Sequence, residues 1–202
     1  MKTLASLLLC LPLFFLQPDL KAQQTETLFS GSIRHGGYGG IFHGVTSLNG
    51  QATYLRGSKG AWVIRFDNGN ALHVGFAGYR SDKAFDVVNW RGTGSEIPEL
   101  KTNYGGFELE YTLRSLDLFH FGFKTLVGNG DVRYRNGSDF EKRSDNFFVV
   151  QPGASLYVNV TSWFRVSGSV LYRYASNVHL DGTSDSDLSG FSVAAGLRFG
   201  KF

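Results

Sequence analysis

Between Phe191 and Phe199 every second side chain is apolar. Phe191, Val193, Ala195, Leu197 and Phe199 share one face of an extended strand, while Ser192, Ala194, Gly196, Arg198 and Gly200 occupy the other. A period of two with one greasy and one small or charged face demands a strand with a different medium on each side. Hydrocarbon outside and a polar barrel interior form one such pair.

Six other runs carry the same signature, some more sharply than others, and a seventh reads as extended without it. In Phe164–Tyr174, Phe164, Val166, Val170, Tyr172 and Tyr174 oppose Arg165, Ser167, Ser169 and Arg173. In Phe148–Val160, Phe148, Val150, Ala154, Leu156, Val158 and Val160 oppose Gln151, Gly153, Ser155 and Asn159. Leu118–Gly130 sets Phe119, Phe121, Phe123 and Val127 against His120, Gly122 and Lys124, and Tyr104–Arg114 sets Phe107, Leu109, Tyr111 and Leu113 against Glu108, Glu110, Thr112 and Arg114. Ala71–Tyr79 alternates Leu72, Val74 and Phe76 with His73. Gln51–Phe66 groups Trp62, Ile64 and Phe66 against Lys59 and Arg65, and the glycine-rich run Gly36–Ser47 shows no clear face. Pro152 interrupts the Phe148–Val160 run on its apolar face, where a closed barrel calls for a bulge.

The connections alternate in length. Asp67-Asn68-Gly69, Ser115-Leu116-Asp117 and Thr161-Ser162 are short, whereas Ser81–Asn103, Asp131–Asn146 and Asn177–Ser189 are long and polar. Tight turns at one end and long loops at the other suit a membrane barrel with both termini in the periplasm. Leu48-Asn49-Gly50 departs from that pattern as a tight hairpin at the long-loop end. Aromatic residues gather near the strand ends, Phe66, Phe119, Trp163 and Phe199 beside the tight turns and Tyr79, Tyr104, Phe147, Tyr172 and Tyr174 towards the loops. Such belts are expected at the lipid headgroups.

The N-terminus supplies the route out of the cytoplasm. Lys2, an apolar stretch from Leu4 to Leu16 and a small residue at Ala22 predict a secretory signal peptide over 1–22, followed by an extension over 23–35 and a barrel domain over 36–202. Cys10 is the one cysteine of the chain, so the exported part is expected to fold without disulfides or thiolate metal sites. A net charge of +3 with no basic tract argues against a nucleic-acid partner. Twenty-six glycines and eighteen phenylalanines beside a mean hydropathy of -0.12 fit strands whose alternation hides their apolar faces from an averaged index.

With its leader, its glycine-rich first strands, the phrase Gly105-Gly106-Phe107-Glu108-Leu109-Glu110-Tyr111 and the ending Ala195-Gly196-Leu197-Arg198-Phe199-Gly200-Lys201-Phe202, the chain resembles the small OmpX-like outer-membrane β-barrel proteins of Gram-negative bacteria. The resemblance implies an all-β, eight-stranded antiparallel up-and-down transmembrane β-barrel in the bacterial outer membrane. It also implies outer-membrane lipid around the wall and a closing strand read by the barrel assembly machinery. Phe199 and Phe202 are the candidate signal aromatics, although Phe202 is out of step with the apolar face that ends at Phe199.

If the apolar faces meet lipid, Arg65, His73, Glu108, Glu110, His120, Lys124, Arg165, Arg173 and Arg198 point inward. An eight-stranded lumen is just wide enough for side chains to fill, so these groups are expected to plug it by mutual pairing, each glutamate taking a basic neighbour. A structural or surface-interaction role follows, with the three long loops facing an unknown extracellular partner, no cofactor and no catalytic residue. Two alternatives use the same sequence differently. A soluble, lipocalin-like barrel would turn its aromatics inward around an apolar ligand. A rim-located lipid hydrolase would use His179, which lies on a loop with Asp181, Ser184, Asp185 and Ser186.

Overall fold

The computed structural model describes residues 33–81, 85–86, 99–134 and 144–202. The predicted leader over 1–22, most of the extension over 23–35 and the central parts of two long loops lie outside them. All eight expected runs form strands: β1 (Arg34–Leu48), β2 (Gln51–Arg65), β3 (Ala71–Ser81), β5 (Glu99–Leu113), β6 (Phe119–Tyr134), β7 (Ser144–Asn159), β8 (Phe164–Ser176) and β9 (Gly190–Lys201). A two-residue strand, β4 (Phe85–Asp86), pairs with the start of β5, and a single helical turn, α1 (Asp185–Leu188), precedes β9. β1 begins two residues before the expected Gly36. The long loops are shorter than expected because β5, β6 and β7 extend into them.

Every long strand pairs antiparallel with its sequence neighbour, and two further ladders close the sheet. β3 pairs with β5, and β1 pairs with β9 in a register that sets Gly37 opposite Lys201. Among the described residues no long strand is left with an open edge, which removes the unpaired backbone groups that hydrocarbon would penalise. The Asn49-Gly50 hairpin carries positive φ at both residues, 49° and 73°, the conformation a two-residue turn between right-twisted strands requires. No bulge forms at Pro152. The ladder pairs Val150 with Tyr174 and Gly153 with Leu171 in unchanged register, lapsing only over the two residues between. With no N–H to donate, Pro152 leaves a gap in the bonding and no extra residue in the strand.

The faces are oriented as parity predicts through the lower part of the barrel, towards the tight turns. Phe76 is 71% exposed, Phe119 62% and Phe121 59%, while Glu110, His73 and Arg198 are buried inside. That orientation is the reverse of a lipocalin-like barrel. Towards the loop end of β2–β7 the same parity continues, but the chemistry of the two faces reverses. Tyr79, Leu100, Tyr104, Leu126, Val132, Phe147 and Val149 turn inward into one apolar cluster, and Arg80, Asn103, Asp131 and Asn146 turn outward. Tyr79, Tyr104 and Phe147 therefore do not belong to an outer aromatic belt. They lie on the opposite parity from Phe76, Phe107 and Phe148, and only Tyr172 and Tyr174 of the expected upper belt face out. Arg114, placed inward by parity, leaves the strand with φ 49° and is exposed in the turn.

Glycine makes room inside this cluster at Gly57. A Cβ there would overlap the ring of Phe42, which packs on Tyr79 with 4.5 Å between ring centroids. Tyr79 in turn stacks on Tyr104 at 5.0 Å and 4°.

Candidate functional site: the barrel interior

The predicted polar residues form three tiers, not one network. The middle tier is built on β5, whose alternation aims Glu108 and Glu110 into the lumen. Arg198 from β9 donates to both oxygens of Glu110 at 2.9 Å each. Lys59 from β2 donates to Glu108 at 2.6 Å and to Glu110 at 2.9 Å. His73 Nδ1 lies 3.5 Å from Glu110, and its Nε2 is 3.4 Å from the Thr112 hydroxyl. Arg198 also donates to the Tyr157 hydroxyl at 2.5 Å and lies over the rings of Tyr157 and Tyr38, 4.2 and 4.8 Å from their centroids. Lys124 faces Glu110 in register yet turns its ammonium to Ser169 at 3.2 Å.

The loop-end tier centres on Arg173. Its guanidinium donates to the carbonyls of Leu188 at 2.5 Å and Ser47 at 3.0 Å, and to the Thr46 hydroxyl at 3.1 Å. These bonds draw the β8–β9 connection across the mouth, where Leu180 and Leu188 enter the upper apolar cluster. The Asn49 amide donates to the Asp187 carbonyl at 2.7 Å, tying the same segment to the first hairpin. The segment expected to reach into the surroundings is thus folded back as a lid. Its acidic side chains serve the lid: Asp187 accepts from the Ser184 amide at 2.8 Å, and Asp185 accepts from the Val178 amide at 2.8 Å.

The turn-end tier holds Arg65, His120 and Arg165. Arg165 donates to the Ser115 carbonyl at 2.8 Å and lies 3.8 Å from the centroid of the Phe202 ring. His120 stacks on Tyr157 at 5.1 Å, with its Nδ1 3.0 Å from the Asp117 carbonyl. Arg65 is half-buried and donates to the Phe202 backbone oxygen. Phe202 is thereby resolved from Phe199. It turns into the barrel against Tyr38, whereas Phe199 is 43% exposed and stacks on Phe164 at 4.9 Å.

Mutual neutralisation is incomplete. Among the described residues, the side chains of Lys59, Lys124, Arg165, Arg173 and Arg198 are buried against two buried carboxylates, Glu108 and Glu110. Backbone carbonyls, hydroxyls and aromatic faces take up the surplus, the Ser169 hydroxyl serving Lys124, which a pairing argument based on charged residues alone does not anticipate. Lys59, Tyr38, Tyr157 and Tyr104 are the interior residues absent from the expected set. Parity was a usable signal for Lys59, opposite Trp62, for Tyr104, in step with Glu108 and Glu110, and for Tyr157, in step with Gln151 and Ser155, whereas Tyr38 lies in the glycine-rich run with no clear face. Near the lid, His179 Nδ1 lies 3.1 Å from the Asn177 carbonyl, and Asp145 accepts the His179 backbone amide at 2.5 Å.

No protein-family model and no curated protein matches the chain. Solved structures do. Neisserial surface protein A (NspA) aligns with a TM-score of 0.55 at 12% identity, covering 85% of this chain and 100% of that one. Ail, the attachment invasion locus protein of Yersinia pestis, aligns at 0.53 and 16% in its complex with the heparin analogue sucrose octasulfate, covering 82% of this chain and 97% of that one. A second Ail structure aligns at 0.52 and 17%. At these identities the likeness shows the fold: a closed, eight-stranded, all-antiparallel up-and-down barrel of the small outer-membrane type.

Proposed function

We propose that the chain is an integral protein of a Gram-negative outer membrane, exported by a signal peptide cleaved after Ala22. We infer that its closed barrel serves a non-enzymatic role at the cell surface. The observation that carries this reading is the outward apolar wall, including Phe76, Phe107, Phe121, Phe123 and Val193, each 43% exposed or more. In water such a wall would be an aggregation surface; in acyl chains it is solvated. The fold shared with NspA and Ail supports the same location.

The interior is read as closed to ions. The lid bonded to Arg173 blocks one end, the Glu110 cluster crosses the middle and Phe202 under Arg165 fills the other. Residues 82–98 and 135–143 are then the segments offered to an extracellular partner, and lipid-facing Phe199 is the aromatic offered to the assembly machinery.

Cell fractionation and a heat-modifiability gel test the location. Detergent-dependent extraction and a compact unboiled band are expected, and release into the soluble fraction would overturn the proposal. Planar bilayers test closure: pure protein should give no steady large conductance.

A further inference from the structure

We infer that the lumen holds one small monovalent anion, of chloride size, between Lys124, Ser169 and Arg198. The inference deepens the reading of a closed interior, since the ion is taken up as the barrel closes and stays buried. Lys124 comes from β6, Ser167 and Ser169 from β8 and Arg198 from β9, and with Lys59 of β2 they line a cavity of about 20 Å³. That space takes one water-sized particle and is too small for a phosphate or a sulfate. Gly196 keeps it open, because a Cβ there would lie 2.7 Å from the Ser167 hydroxyl oxygen.

Three cations border the cavity and no carboxylate does. Glu108 and Glu110 border a separate void beside Tyr38 and His73. Lys59 donates to both glutamates and Arg198 donates to Glu110, which sets two acidic charges against two basic ones. Lys124 is the third cation of this tier. The Ser169 hydroxyl at 3.2 Å accepts one of its hydrogen bonds and brings no charge to offset it. That bond uses one of the three N–H groups of the ammonium. Arg198 Nε is buried beside the same cavity with no hydrogen-bond partner among the described residues. A buried ammonium and a buried, unbonded guanidinium N–H both call for an acceptor that carries a full negative charge.

Charge and size together select the occupant. Water fits the volume but leaves the charge of Lys124 uncompensated. A metal cation would be repelled by all three side chains, and a polyatomic oxyanion exceeds the space. A halide fits, and it accepts hydrogen bonds from any direction, so the ammonium, the Nε–H and a serine hydroxyl can all donate to it.

The test is urea unfolding of the full chain from detergent micelles, with chloride replacing gluconate at constant ionic strength. One ion bound per folded barrel raises the folding constant about tenfold for each tenfold rise in chloride above the dissociation constant. K124M, close in volume and without the charge, should remove that dependence. G196A leaves every charge in place, puts a methyl into the cavity and should weaken it. R133Q, at an exposed side chain paired with Asp131, should leave it as in the wild type. Crystals grown in sodium bromide should show one bromine anomalous peak beside Lys124 Nζ. A chloride-independent wild type, an unchanged dependence in both K124M and G196A, or no bromine peak in the lumen would overturn the site. None of these results bears on closure of the lumen, which fails instead on a steady large conductance in planar bilayers.

Discussion

Arg198 and Glu110 form a two-pronged ion pair across the lumen, both bonds 2.9 Å long, and Lys59 closes on the same carboxylate from β2. Three strands remote in sequence, β2, β5 and β9, are thereby fastened at one point. The pair lies at the level where the outer wall is apolar.

Removing one partner leaves the others buried and uncompensated. Glu110→Ala should lower stability by about 3–5 kcal/mol, because Arg198 then loses its carboxylate and Lys59 keeps only Glu108. Replacing Arg198 and Glu110 together by leucine and methionine should lose much less. Urea titration of the barrel in lipid, followed by the heat-modifiable band, measures both. Similar losses in the single and double variants would contradict the pairing.

The lid makes a separate prediction. Leu188 is fully buried beneath a loop, and Arg173 donates to its carbonyl. Leu188→Ala should destabilise by about 2–4 kcal/mol if the lid unfolds together with the barrel. If the lid opens first, the same change should speed amide hydrogen exchange at Asn49, the residue bonded to Asp187, with little effect on the rest of the barrel. Either outcome tells how tightly the mouth is coupled to the wall, and an unchanged Asn49 rate with unchanged stability would deny the lid any role.

The apolar-to-polar boundary on the outer wall can be mapped with one residue type. Phe76→Arg, within the apolar band, should cost about 2–4 kcal/mol in a bilayer, and Asn103→Arg, level with Arg80, about 0–1 kcal/mol. Equal penalties would place the boundary elsewhere.

The two terminal aromatics should separate in the same way. Phe202→Ala removes the ring under Arg165 and should lower stability by about 3 kcal/mol while leaving assembly kinetics nearly unchanged. Phe199→Ala should do the opposite, slowing insertion by the assembly machinery in reconstituted membranes with a small effect on final stability. A larger assembly defect in the Phe202 variant would reverse the assignment.

Much of this architecture was legible because a strand of alternating polarity declares its two faces. β6, β8 and β9 show that alternation cleanly, and the inward residues His120, Lys124, Arg165, Arg173 and Arg198 were all identified from it. β1 was opaque because Tyr38 and Phe42 point in while Ile41 and Val45 point out, so both faces are apolar. Tyr79, Tyr104 and Phe147 were misplaced because nearness to a strand end was weighed above parity. Their parity had already put them inside.

Alternation and turn chemistry in the chain itself determined eight antiparallel strands, their connections and which side chains share a face, while the direction in which each face turns was fixed by closure of the sheet. The strands, their connections and the shared faces are local properties, set by one residue's relation to its next two or three neighbours. Tertiary structure alone decided that β9 closes on β1, that the β8–β9 loop folds inward, and which cation meets which carboxylate. Those outcomes depend on the shear of the closed sheet, which brings Lys59, Glu110 and Arg198 to one level although no spacing along the chain relates them.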